Sequence, residues 1–156
     1  MNLFYRKLGQ GKPLFILHGL FGSSDNWQTL GKKFAEHFEV FLIDQRNHGQ
    51  SFHSEEWSYA AMSDDLLGVM QENGLGKITI IGHSMGGKAA MHFAIHHPEK
   101  VEKLVVVDIA PKYYPVHHRE ILDALLSIDL SKISTRKEAE QLLSQKIISQ
   151  FLHPRR

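Results

Sequence analysis

Four short, uninterrupted apolar runs limit what this chain can become. Leu14–Leu17, Val40–Ile43, Ile78–Ile81 and Leu104–Val107 are each too short for a helix and are flanked by Gly, Pro or charged residues, so each reads as a strand. Continuous rather than alternating apolar character belongs to strands covered on both faces, as in a parallel sheet. The stretches between them have helical spacing. Trp27, Leu30, Phe34 and Phe38 form one stripe after a Ser24-Asp25 cap. A second helix is expected from about Ser58 to Asn73, with Tyr59, Met62, Leu66 and Met70 inward and Gly74 as its stop. A third begins near Met85 and ends before Pro98. This alternation predicts an α/β chain with a doubly wound, mostly parallel sheet. An earlier strand, Leu3 to Leu8, is expected to pair with Leu14–Leu17 through the Gly9-Gln10-Gly11 turn. After Val107 the pattern turns helical, around Arg119 to Ser127 and from about Thr135 to Ile148, the latter opened by the capping-box spacing of Thr135 and Glu138. The expected division is therefore a sheet core at 1–111 and a partial helical cap at 112–156.

Composition narrows the function classes. The chain has 156 residues, 42% of them hydrophobic, enough for one core without staples. The absence of cysteine removes disulfide scaffolds, thiolate zinc sites and cysteine nucleophiles. A formal charge of +1 provides no field to draw nucleic acid or anionic lipid. No apolar run is long enough to span a membrane, and Met1 to Gly11 lacks the basic-then-apolar order of a signal peptide. The expectation is a cytoplasmic protein with no nucleic-acid or membrane partner and no cofactor. His92 and His96 stand four apart on the third helix, but without the intervening Glu of a zinc motif or a third ligand, so no metal is expected.

Open α/β sheets bind ligands beyond the carboxyl ends of their strands. The residues there are His18-Gly19-Leu20-Phe21-Gly22, Asp44 to Ser51, Gly82-His83-Ser84-Met85-Gly86-Gly87 and Asp108-Ile109-Ala110-Pro111. Gly82 to Gly86 is a G-x-S-x-G sequence placed directly after a strand and at the opening of a helix, the context in which the serine hydroxyl is lifted off the sheet as a nucleophile. The helix that follows aims free N–H groups at whatever forms on Ser84. A tetrahedral intermediate needs two donors, and the N–H groups of Leu20 and Met85 are the pair this order offers. His18, Gly19, Phe21 and His83 are expected to line the substrate pocket. A serine also needs a base, and the base an acid. Asp108 is the favoured acid, with Asp44 as competitor; Arg46 offers Asp44 an ion pair and hence a structural role. His117, His118 and His153 could supply a base only if the helical cap folds over Ser84.

Together the segments His18 to Ser23, Arg46 to Ser51, Gly82 to Lys88 and Val107 to Pro111 resemble the YbfF-type esterases of the α/β-hydrolase fold. The resemblance implies hydrolysis of carboxylic esters or acyl thioesters through an acyl-enzyme on Ser84, and it supports Asp108 as the acid. It also implies that relatives continue through two further strands, the second of which carries the catalytic histidine. In that reading this chain is the N-terminal portion of a hydrolase, impaired in turnover, and Leu104–Val107 becomes a sheet edge open to self-association. The alternative is a catalytically inactive hydrolase fragment or a binding module using the same cleft. Epoxide and haloalkane chemistry is disfavoured because it needs a carboxylate where Ser84 stands.

Overall fold

A computed structural model describes residues 2–114 and 119–152. The chain divides into two compact units, Met1–Pro111 and Lys112–Arg156.

The first unit is built on β1 (Tyr5–Leu8), β2 (Lys12–Leu17), β3 (Phe38–Ile43), β4 (Ile78–His83) and β5 (Val101–Val107). They form one sheet in the order β1-β3-β2-β4-β5. β2 lies parallel to both β3 and β4, β5 lies parallel to β4, and only β1 is antiparallel. All four apolar runs are therefore strands. Successive side chains of a strand point to opposite faces, and two apolar clusters result. On one face Phe15, Leu17, Phe41, Ile43, Ile78 and Ile80 pack beneath α2 (Tyr59–Glu72) and α3 (Met85–His96). On the other, Leu14, Ile16, Val40 and Leu42 meet Trp27 and Phe34, which belong to a 3-10 turn (Ser24–Trp27) and to α1 (Gln28–Phe34).

Helix α2 begins where Ser58, in extended conformation, accepts the Ala61 N–H on its side chain. It stops at Asn73, followed by Gly74 at φ 63°. Met62, Leu66 and Met70 are fully buried against the sheet, but Tyr59 is exposed. The expected stripe on the first helix also breaks. α1 ends at Phe34, Leu30 faces solvent, and Gly31 lies against Leu42. Phe38 is not helical at all: it opens β3 opposite Lys12. Its periodicity with Trp27 and Phe34 comes from membership of the same apolar cluster.

The expected pairing of the first strand with β2 is also corrected. β1 pairs with β3, Tyr5 opposite Ile43 and Leu8 opposite Val40. β2 has no free edge, since β3 and β4 take both. The connecting turn instead runs across the chain entering β3. A methyl group on Gly9 (φ +69°) would stand 2.4 Å from the Ala35 carbonyl oxygen and 2.5 Å from that of Phe38, so only glycine passes there.

β5 is the far edge. Leu104, Val105 and Val107 are all exposed, and β4 is its sole neighbour in the sheet. The second unit contains α4 (Arg119–Leu126), a 3-10 turn (Leu130–Lys132) and α5 (Arg136–Leu152). The Thr135 hydroxyl accepts the Glu138 N–H at 3.2 Å, and Glu138 Oε2 accepts the N–H groups of Ser134 and Thr135 at 2.8 and 3.3 Å, which is the expected capping box.

Candidate active site

Ser84 is the single residue between β4 and α3. It holds φ 50° and ψ −113°, a conformation costly for a residue with a Cβ. Two backbone hydrogen bonds clamp it there: its N–H donates to the Val107 carbonyl at 3.0 Å, and its carbonyl accepts the Lys88 N–H at 3.1 Å. The flanking glycines make the turn possible. A methyl on Gly82 would meet the Gly86 carbonyl oxygen at 2.4 Å, and one on Gly86 would meet the carbonyl oxygens of Leu17 and His18 at 2.6 Å. The first turn of α3 thus sits directly on the end of β2. Among the described residues nothing hydrogen-bonds the Ser84 hydroxyl, and the first N–H groups of α3 have no helical partner.

The loop after β2 closes against this turn. A methyl on Gly19 would stand 2.9 Å from His83 Nδ1 and 3.3 Å from Ser84 Cβ, so Gly19 admits both side chains. Beside this contact lies a cavity of about 340 Å³, walled by the His18 to Gly22 loop together with Asn26, Trp27 and His83. Of the expected pocket residues, Gly19, Phe21 and His83 all reach it, as does Leu20, the expected oxyanion donor. His18 reaches it only as a wall. Its ring is 1% exposed, and both nitrogens are committed: Nε2 accepts the Gln45 N–H at 3.1 Å and Nδ1 lies 2.8 Å from the Gly19 carbonyl. A backbone N–H can only donate, so the proton sits on Nδ1. Burial lowers the His18 pKa, against the opposing pull of the Gly19 carbonyl. Asn26 and Trp27 also line the pocket; Trp27 reads in the sequence as part of a helix stripe, and Asn26 carries no signal there.

The two carboxylates separate cleanly. Asp108 follows β5 at φ 55°, its side chain 86% exposed, with Oδ2 3.9 Å from His83 Nε2. Asp44 is buried and accepts the N–H groups of Ser24 and Gln50 at 2.5 and 2.9 Å, tying two loops to the end of β3. These bonds hold the loops in place, but the expected partner is wrong. Arg46 turns away to a bidentate pair with Asp65, Nε to Oδ2 at 2.6 Å and Nη2 to Oδ1 at 3.0 Å, and also donates to the carbonyls of Glu56 and Ala61. Backbone amides already satisfy Asp44, whereas Asp65 on α2 presents two free oxygens to the guanidinium fork. His117, His118 and His153 lie outside the described residues. His92 and His96 stack with ring centroids 4.0 Å apart, and His96 Nδ1 bonds the His92 carbonyl at 2.9 Å.

A mostly parallel sheet with a serine turn of this form defines a class. The chain matches the alpha/beta hydrolase fold over residues 12–145 and belongs to that family. It is 37% identical over 145 residues to Esterase YbfF of Escherichia coli, covering 90% of this chain and 57% of the relative. It is 49% identical over 100 residues to the sn-1-specific diacylglycerol lipase ABHD11 of Mus musculus, covering 63% and 33%. A solved structure described as a marine microorganism esterase superposes with a TM-score of 0.90 at 49% identity, over 97% of this chain and 60% of that one. The chain spans about half the length of the curated relatives it matches, with 47%, 50% and 57% of three of them covered.

Proposed function

We propose that this chain carries the acyl-transfer machinery of a serine hydrolase acting on carboxylic esters or acyl thioesters. Ser84 Oγ attacks the acyl carbonyl carbon, the carbonyl oxygen becomes an oxyanion held by the N–H groups of Leu20 and Met85, and the alcohol or thiol leaves to give an acyl-serine. The observation that carries this reading is Ser84 itself, held at positive φ against Gly19 with the start of α3 behind it. Asp108 is assigned as the acid that orients a histidine. Within the first unit its nearest imidazole is His83 at 3.9 Å, which does not hydrogen-bond Ser84. Among the described residues no imidazole is bonded to Ser84, and a serine acting without a base keeps only the oxyanion and binding contributions, about 10³- to 10⁴-fold over water. Names such as esterase and diacylglycerol lipase among the relatives support the ester chemistry.

The test is a fluorophosphonate probe and a p-nitrophenyl ester applied to the wild type and to Ser84→Ala. Labelling and release that vanish in the variant support the reading. Equal signals in both would leave the inert or binding-module alternative.

A further inference from the structure

The loop proposed to present the Leu20 N–H is itself under strain. Gly22 N–H donates to the Gly19 carbonyl at 3.0 Å, closing a four-residue turn, and Phe21 occupies its third position at φ 62°. That position in such a turn normally belongs to Gly or Asn. Phe21 is 53% exposed, so burial of its ring does not hold it there. Its N–H is taken up by His48, whose Nε2 lies 3.3 Å away.

His48 is well placed for that task. Nε2 must be the acceptor, because a backbone N–H cannot accept. The ring proton is then on Nδ1, which lies 3.0 Å from the Arg46 carbonyl. Arg46 is anchored in turn by its paired bonds to Asp65. The imidazole is further packed between the rings of His18 and Trp57, at centroid distances of 5.1 and 5.7 Å. We infer that His48 is a positioning residue which, by accepting the Phe21 N–H, locks the Gly19–Gly22 turn in the conformation that aims the Leu20 amide. Without that acceptor the Leu20–Phe21 peptide is free to rotate, Phe21 returns to negative φ, and the turn loses its single defined form. The catalytic consequence rests on Ser84 and Leu20 acting as proposed above; the locking of the turn does not.

His48→Phe keeps a ring between His18 and Trp57 but removes the Nε2 acceptor, and with it the Nδ1–H that faces the Arg46 carbonyl. In 1H–15N spectra the Phe21 amide should shift and its hydrogen exchange should accelerate, while amides of α2 keep their wild-type protection. His48→Gln, which restores an acceptor, should return protection to Phe21. Fluorophosphonate labelling of Ser84 should fall roughly ten- to a hundredfold in His48→Phe, the scale of a misplaced rather than deleted donor. In a Phe21→Gly background, where positive φ carries no penalty, the same His48→Phe change should cost much less. An unchanged Phe21 amide in His48→Phe, or an undiminished cost in the Phe21→Gly background, overturns the inference. A Phe21 amide that responds as expected in a chain whose Ser84 never labels supports the lock and refutes the hydrolase reading.

Discussion

Gly19→Ala tests the seam between the loop after β2 and the serine turn. The added methyl meets the His83 ring, Nδ1 at 2.9 Å and Cε1 at 3.3 Å, and Ser84 Cβ at 3.3 Å. His83 has a side chain 39% exposed and can swing toward solvent, so the first clash is relieved cheaply. Ser84 cannot move in the same way, because its N–H and carbonyl are tied to Val107 and Lys88. A comfortable carbon–carbon contact is near 3.7 Å, so the serine side must yield by about 0.4 Å. If a displacement of about 1 Å costs a hundredfold in rate, this one costs about sixfold. Stability should change little, by about 1 kcal/mol at the low end of overpacking costs, which moves the melting midpoint of a chain this size by about 2–4 °C. The assay compares fluorophosphonate labelling rates with thermal melts on the same samples. Labelling at the wild-type rate would refute the placement of Gly19 against the Ser84 side chain. A collapse of the melt by tens of degrees would refute the claim that His83 yields.

Asp65→Ala should destabilise the first unit by about 3–5 kcal/mol in urea titration, because it leaves the Arg46 guanidinium, 7% exposed, without its carboxylate. The His18 pKa lies below its ordinary 6.5 in the folded chain, so the unfolded chain binds the extra proton as pH falls through that value. His18 therefore contributes stability that is present above pH 6.5 and is lost on acidification toward its folded pKa. Melts between pH 7.5 and 5 should be less pH-dependent in His18→Gln than in wild type. On the β5 edge, where Val105 is 45% exposed, Val105→Lys should reduce concentration-dependent self-association in sedimentation velocity, since charge on an edge strand blocks pairing.

The buried parallel strands were legible because being covered on both faces forces a continuous apolar run, a demand that Leu14–Leu17 of β2 and Val40–Ile43 of β3 meet in full, while β4 alternates buried and half-buried residues. The serine turn was legible for a similar reason: a Cβ on Gly82 or Gly86 would stand 2.4 or 2.6 Å from a backbone carbonyl oxygen, so nothing larger fits. Sheet order was not. β1 is amphipathic and its turn is compatible with a hairpin, so only the competition for β2's edges sends it to β3. Phe38 misled because one apolar cluster draws on a helix and a strand at the same spacing. Tyr59 and Leu30 misled because a stripe on a short or terminal turn does not have to face the sheet. Arg46 chose Asp65 over Asp44 through tertiary geometry that a linear reading lacks. His48 was visible only as part of a motif, since its task depends on the Phe21 amide 27 positions away.

Among the described residues, those at positive φ that are not glycine are Phe21, Asn47, Ser84 and Asp108, all at the carboxyl edge of the sheet. Each such conformation costs of order 1–3 kcal/mol. The molecule thus keeps its tension on the rim where the chemistry is proposed and its relaxed geometry underneath. A glycine at Phe21 would relieve its corner without moving the chain, whereas a glycine at Ser84 would relax the bend only by discarding the hydroxyl proposed to react.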